Sequence, residues 1–427
     1  MNHPEANRQE KGGRADRRTE GPAAGSRLGG LPRNVWVVTA TSFLADVSSE
    51  MLTNVLPLFL ANVLGARTAA IGLIEGTAET TASLLKLASG ALSDRLGKRK
   101  SLAVLGYGLS ALAKPFLYLA NSWGAVLGVR FADRAGKGLR TAPRDALVAD
   151  SINARQRGLA FGLHRAGDTG GAVVGIGIAL LVLLPLTRNE VALDRAMFQR
   201  LVLFSMIPAF LAVVVLALGA REIARGLGET AGAGPARAPL GRTFMAFVGI
   251  LVVFTLGNSS DAFLILRAQN AGLGVIAILG MMLTFNLVYA LVATPAGALS
   301  DRLGRRRLLL IGWLLYGLTY LGFAFLRAGW QAWLLMLLYG VYYGLTEGAA
   351  KAFVADLVPA EARGSAYGLY SAAIGLAALP ASVLAGLLWQ GIGTWSGFGP
   401  SAPFLFGAGM ALLAAVLLLR LPRSQEA

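Results

Sequence analysis

Carboxylates stand inside stretches of this sequence that are otherwise apolar: Asp46, Glu50, Glu75, Glu79 and Asp261. Asp46 and Glu50 are four residues apart, as are Glu75 and Glu79, so on a helix each pair shares a face. Asp261 follows Ser259-Ser260 as Glu50 follows Ser48-Ser49. A carboxyl group in water titrates at about 4, and burial beside a like charge favours the protonated form, whereas a neighbouring cation opposes it. Such groups can carry a proton. Asp133 has Arg130, Arg134 and Lys137 within four residues and is expected to be held as an anion. Glu50, Asp261 and Asp46 are therefore the proton-coupling candidates.

Cations form a second set. At about 100° per residue, Arg130, Asp133, Arg134, Lys137, Arg140 and Arg144 share one arc of a helix. A charge facing lipid near the bilayer centre costs several kcal/mol, so this stripe must face protein or water. The positions 206 residues further on hold different chemistry: Tyr339, Gly340, Tyr343 and Thr346, followed by Glu347 and Lys351. Tyr339, Tyr343 and Glu347 again share a face. One wall of an interior is thus basic and the other phenolic with a single acid, and aromatic faces suit an amphipathic organic ligand. Asp46, Glu50, Arg130, Asp133, Arg134, Lys137, Asp261, Tyr339, Tyr343 and Glu347 are the candidates for contact with a solute. Asp46, Glu50 and Asp133 balance Arg130, Arg134 and Lys137 in charge, which argues against a simple anion trap. The competing reading is a structural ion network joining Arg130, Arg134 and Lys137 to Asp46 and Glu50.

Other chemistries lack their residues. Without cysteine there is no disulfide or thiolate site, and the two histidines, His3 and His164, leave little for a metal. His164, Arg165 and Asp168 cluster where a histidine near a helix end is expected to be solvated. No Gly-x4-Gly-Lys-Ser/Thr loop binds nucleotide, and no hydrolase constellation is present. The chain reads as neither an enzyme nor a cofactor protein.

The elements that position these residues follow from composition. The chain is 55% apolar and 15% charged, with a mean hydropathy of +0.59; soluble domains are about 25% charged. Runs of roughly 20 apolar residues can cross a bilayer. They fall at 35–60, 71–92, 101–120, 123–142, 158–184 and 200–218, then at 244–266, 275–299, 308–326, 331–353, 364–388 and 403–420. The expected fold is all-α, with twelve transmembrane helices in two six-helix bundles, 34–218 and 243–421. A disordered tail (1–33), a flexible linker (219–242) and a short tail (422–427) complete the chain. Most of the 39 Lys and Arg residues lie in connections on one side. This distribution, rather than nucleic-acid binding, accounts for the net charge of +16 and places both termini in the cytoplasm. Gly167, Gly171 and Gly175, like Ala373, Ala377 and Ala381, form small-residue faces for helix packing.

An internal repeat joins the two halves. Gly90-Ala-Leu-Ser-Asp-Arg-Leu-Gly97 recurs as Gly297-Ala-Leu-Ser-Asp-Arg-Leu-Gly304, offset by 207. Ala149-Asp150, Arg157-Gly158 and Gly162-Leu163 recur as Ala355-Asp356, Arg363-Gly364 and Gly368-Leu369, offset by 206. Copies separated by six spans insert in the same orientation, as parallel halves about an axis along the membrane normal.

The doubled loop, Gly90 to Lys100 and Gly297 to Arg307, resembles the signature of the major facilitator superfamily, G-x-L-[SA]-D-R-x-G-R-[KR]. The resemblance covers everything after the tail. It implies alternating access around a cavity lined mainly by helices 1, 4, 7 and 10. It also implies a cytoplasmic gate made by Gly90, Asp94, Arg95, Gly97 and Arg99 with Gly297, Asp301, Arg302, Gly304 and Arg306. Within the superfamily the chain is most similar to the twelve-helix drug:proton antiporters, although helix 5 reads Gly167-Asp-Thr-Gly-Gly171 where that branch often has Gly-Pro.

The expected function is secondary transport of a small organic solute, with protons as coupling partner and export of amphipathic compounds as the direction. The setting is the inner cell membrane, and the protein acts as a monomer. Import or exchange of organic anions is the alternative, and a receptor or scaffold that moves no solute is a third. The absence of cysteine makes the topology directly measurable. Single cysteines at Asn121 or Gly393 should react with an impermeant maleimide outside intact cells, and cysteines at Gly97 or Gly304 should react only after the membrane is opened. Labelling of the second pair in sealed cells would reverse the orientation.

Overall fold

The computed structural model describes residues 27–28, 30–153, 156–186, 192–223, 240–359 and 362–422. Most of the expected N-terminal tail, the middle of the expected linker and the tail from 423 lie outside the described residues. Within the stretch read as tail, β1 (Arg27–Leu28) and β2 (Leu31–Pro32) form an antiparallel hairpin whose turn uses Gly30 at φ 80°. Leu31 is buried beside Val35 and Val38, so the hairpin abuts the first helix.

Twelve helical spans follow among the described residues. In the first half, α1 runs Arg33–Thr53, resumes as Leu56–Leu58 and ends in a π-helical turn, Phe59–Val63. Next come α2 (Thr68–Leu96), α3 (Arg99–Ala113 continued by Pro115–Tyr118) and α4 (Trp123–Asp150). The half ends with α5 (Arg157–Leu183) and α6 (Arg195–Gly219). In the second half, α7 is split into Arg242–Gly257 and Ala262–Asn270. Then come α8 (Val275–Leu303), α9 (Arg305–Ala324), α10 (Gly329–Leu357), α11 (Arg363–Gln390) and α12 (Ala402–Arg420). Several helices outrun the expected spans: α4, read as ending at 142, continues through Pro143 to Asp150.

Eight of the twelve are apolar enough along a whole window to cross a bilayer by composition alone. The exceptions are α2, α3, α4 and α10. Three of them carry ionisable residues inside the bundle, and α10 carries its tyrosines there. Helices that expose only apolar groups to lipid can still present polar ones to a shared interior.

The two halves repeat one packing scheme. In the first, α2 and α3 pack on α4, α5 and α6 on α1, and α3 on α6; in the second, α8 and α9 pack on α10, α11 and α12 on α7, and α9 on α12. The halves meet through α2 with α11 and α5 with α8, pairs that exchange under the pseudo-twofold. Pro57 lacks an N–H and clashes with the carbonyl four residues earlier, which accounts for the α1 break at Asn54–Val55. Pro115 does the same to α3 beside Lys114. Beyond its break, α1 packs Leu56 and Leu58 against the Ala262–Asn270 segment of α7, closing the face opposite the chain termini.

Small residues set the helix separations. A Cβ on Gly171 or Gly175 would lie 2.5 Å from the carbonyl oxygen of Phe43 or Val47, so the α5 glycine face is the α1 contact. Between the halves, Thr68 Oγ1 donates to the Gly386 carbonyl at 2.9 Å, and a Cβ on Gly386 would sit 2.3 Å from the Thr68 carbonyl oxygen. Overpacking costs about 1–3 kcal/mol. Gly386→Val should therefore lower the unfolding midpoint of the purified protein by several degrees relative to Gly348→Val, whose Cβ meets nothing within 4 Å. Equal midpoints would disprove close packing of α2 on α11.

Candidate functional site

The doubled loop is the first place where the sequence reading needs correction. Gly97 ends α2 at φ 63°, and Lys98 intervenes before α3 starts at Arg99. In the second half Gly304 leads directly into Arg305. One residue is thus absent, and the repeat offset changes from 207 to 206 at this point. Arg99 donates to Asp150 and, at 2.9 Å, to the Ala146 carbonyl, with Asp94 at 3.2 Å. Its counterpart is Arg305, which donates to Asp356 and, at 3.0 Å, to the Ala352 carbonyl, with Asp301 at 3.8 Å. Arg306, the residue expected in that role, instead donates to the Leu418 and Leu419 carbonyls at the end of α12. Arg95 and Arg302 are exposed. Asp94 and Asp301 each pair within their own half.

The α4 stripe faces the protein interior. Arg130 reaches Glu75 of α2 at 2.9 Å and lies 3.9 Å from Asp133. Arg140 donates to Ser110 at 3.0 Å and stacks over the Tyr107 ring. Arg144 donates to Ser42 at 3.1 Å and pairs with Asp145. The network is therefore closed largely by α2 and α3, and not by Asp46 and Glu50 as the structural reading had it. Lys114, at the α3 break, is buried and donates to Ser48 and, at 3.4 Å, to Ser49. With Lys137 and Arg134 it surrounds a cavity of about 90 Å³ onto which Asp46, Glu50 and Asp133 also open.

Glu50 and Arg134 reach a second, larger space of about 370 Å³ at the junction of the halves. Its first-half wall carries Glu50, Asn54, Glu75, Glu79 and Arg134; its second-half wall carries Asn258, Ser260, Asp261, Asn286, Tyr343 and Ser382. The unwound stretch of α7 at 258–261 supplies part of that wall. Irregular backbone at membrane depth is tolerated where it lines a cavity, and Tyr316 donates to the Gly257 carbonyl at 2.9 Å at the break. Helices α2, α8 and α11 thus line the space as well as α1, α4, α7 and α10. Toward the face that carries the termini it adjoins a third space of about 470 Å³. There Glu79, Lys137, Glu347 and Lys351 share the lining with Phe254, Trp313, Tyr342 and Tyr343.

The phenolic wall differs from expectation. Tyr339 is fully buried and donates to Asp261 at 2.8 Å from behind the cavity surface. It packs with Tyr316, Tyr320, Tyr342 and Tyr343 in one aromatic cluster, of which Tyr343 lines both larger spaces. Glu347 lies apart from Tyr339 and bridges the halves: Arg165 of α5 reaches it at 3.0 Å, Tyr289 of α8 donates to it, and Lys351 pairs with it at 2.9 Å. His164, expected in solvent, is 4% exposed and stands 3.6 Å from Asp168 and 3.9 Å from Asp145.

Asp46, Glu50, Arg130, Asp133, Arg134 and Lys137 are thus gathered on one wall and Asp261 and Tyr343 on the other, while Tyr339 supports Asp261. Sequence reasoning missed Lys114, whose signal was a Lys-Pro pair inside an apolar run. It also missed the bridge from Arg165 to Tyr289 and Glu347, which no local spacing announces.

The family model of the Major Facilitator Superfamily matches residues 38–283 and 243–427. Over 396 residues the chain is 35% identical to an uncharacterised MFS-type transporter of Methanocaldococcus jannaschii, covering 91% of this chain and 95% of that one. Over 178 residues it is 29% identical to multidrug resistance protein 2 of Bacillus subtilis, covering 42% and 41% of the two chains. Among solved structures, a D-xylose-proton symporter superposes with a TM-score of 0.71 at 18% identity, covering 92% of this chain and 98% of that one.

The two Arg–Asp anchors differ in burial, and that difference is measurable. The Arg99 and Asp150 side chains are 9% and 7% exposed, against 30% and 46% for Arg305 and Asp356. Breaking a buried pair costs about 3–5 kcal/mol, and an exposed one about 0–1 kcal/mol. Asp150→Asn should lower the unfolding midpoint clearly more than Asp356→Asn. The reverse order would show that the first anchor contributes little.

Proposed function

We propose that this chain, which belongs to the Major Facilitator Superfamily and is a multi-pass membrane transporter, exports an amphipathic organic solute in exchange for protons. The observation that carries this reading is the pair of adjoining spaces at the junction of the halves. One is lined by carboxylates, amides and hydroxyls. The other is lined by Phe254, Trp313, Tyr342, Tyr343 and Tyr370 on one side with Lys137, Glu347 and Lys351 among its polar groups, and Glu79 and Tyr343 border both. A solute with a polar head and an apolar body fits across that border.

Glu50 and Asp261 are the assigned proton carriers. They face the same space from opposite halves, so rocking of one half against the other changes the surroundings of both together. The likeness to a multidrug resistance protein over part of the chain favours export. The basic loops favour termini in the cytoplasm and insertion in the inner membrane, and one chain contains both halves of the cavity, so a monomer suffices. Asp94 and Asp301, with their arginine anchors, are assigned to the cytoplasmic gate. Uptake or exchange of organic anions is the second reading, and it rests on Arg134 in the cavity wall. Glu50, Glu79 and Asp261 in the same space oppose it.

The test uses solutes that raise the unfolding midpoint of the purified protein in a library screen, added to proteoliposomes whose internal pH is followed. Wild type should move protons on solute addition. Glu50→Gln or Asp261→Asn should abolish that movement while still binding solute. Asp133→Asn should impair folding or binding, because it strands cations. Full proton coupling in both the Glu50 and Asp261 variants would transfer the role to Asp46 or to the Glu75/Glu79 pair. Solute binding without any flux would favour a receptor.

A further inference from the structure

Charges at the junction of the halves are not all spent on one another. Glu75 is taken by Arg130 at 2.9 Å. Glu50 is held through Asn54 at 3.2 Å and Asp261 through Tyr339 at 2.8 Å. Two groups on the first-half wall make no hydrogen bond or ion pair among the described residues, the guanidinium of Arg134 and the carboxylate of Glu79. The Nε of Arg134 is buried without a partner. Glu79 is exposed to the cavity, where Lys137 borders the adjoining space without pairing to it.

We propose that this space receives the head of a zwitterionic solute, with an oxyanion on Arg134 and an ammonium on Glu79. The inference rests on the transport reading and narrows its solute class. Arginine is permanently charged, weakly hydrated and shaped for bidentate contact with a planar oxyanion. A guanidinium on the cavity wall that makes no hydrogen bond or ion pair, its Nε buried, is a site that an acid group completes. The same space holds more carboxylate than a lone anion tolerates. A lone cation satisfies Glu79 and leaves Arg134 as it was. A zwitterion satisfies both and adds no net charge. When Glu50 and Asp261 hold protons and Arg130 neutralises Glu75, the ionised residue set of this space is Glu79 and Arg134, the complement of a zwitterion. Asn258, Ser260, Asn286 and Ser382 face them with neutral donors and acceptors, and Tyr343 leads the body of the solute toward the aromatic space.

Four probes with one aromatic body separate the possibilities: L-phenylalanine, phenethylamine, 3-phenylpropanoate and 2-phenylethanol. Each is titrated at pH 7 against the purified full chain in nanodiscs, following the unfolding midpoint and the heat of binding. L-Phenylalanine should bind at least tenfold more tightly than the other three. Arg134→Gln should move the preference to phenethylamine, and Glu79→Gln to 3-phenylpropanoate. A wild-type preference for the amine or for the acid overturns the proposal, as does binding of none of the four. So does an unchanged order in both folded variants. Should a variant fail to fold, the wild-type ranking still decides. The transport reading is judged separately, by proton movement with library solutes. A cation-first ranking in protein that still moves protons removes the zwitterion and leaves transport standing; a zwitterion-first ranking without flux does the reverse.

Discussion

A charge in the middle of a bilayer must face protein or water, and the first half of this molecule concentrates its buried ions under that constraint. Arg130, Arg140 and Lys114 are each about 5–6% exposed, and each has a named partner on a neighbouring helix. Arg130 ties α4 to α2, Arg140 ties it to α3, and Lys114 ties α3 to α1. The relative positions of α1 to α4 are thereby fixed by ion pairs and charged hydrogen bonds as well as by packing. Helices that carry these groups are less apolar than the other spans. They can cross the bilayer because their outward faces carry exposed apolar side chains such as Leu84, Leu105, Leu112, Phe116 and Phe131.

The second half repeats the helix arrangement with other chemistry. Where α4 presents guanidinium and ammonium groups, α10 presents phenols that pack at tilted angles against Tyr316, Tyr320 and Phe254. Its one intramembrane acid in the central space, Asp261, is braced by a buried hydroxyl rather than by a cation. The cavity therefore has one wall tied by ion pairs and another of amides, hydroxyls and phenols with the single acid Asp261, and Arg165 with Glu347 links the two halves.

Much of the architecture was legible in the sequence because a membrane leaves few alternatives. Apolar runs, the doubled octapeptide and the side preference of Lys and Arg lead to twelve helices in two related halves. The α4 stripe was legible as interior for the same reason, since lipid excludes it. Partner identity was not. Periodicity places Arg130 on a face but not opposite Glu75, which is 55 residues away. It marks Tyr339 and Tyr343 as neighbours without revealing that one stands behind the other. The register of the second loop was lost because identical octapeptides conceal a missing residue just after them, where Lys98 has no counterpart. Breaks at Pro57 and Pro115 had a local signal, whereas the unwinding of α7 at 258–261 needed its tertiary partners.

The unequal wiring of the two walls bears on how such a protein changes over generations. On the ionic wall most substitutions strand a partner charge, so viable change there requires compensating changes on a second helix. On the wall formed by Asn258, Ser260, Asn286 and Ser382, side chains of similar size can be exchanged singly without leaving an ion uncompensated. Substitution is therefore easier on that wall, and solute preference can change stepwise along α7, α8 and α11 without a compensating change on α4.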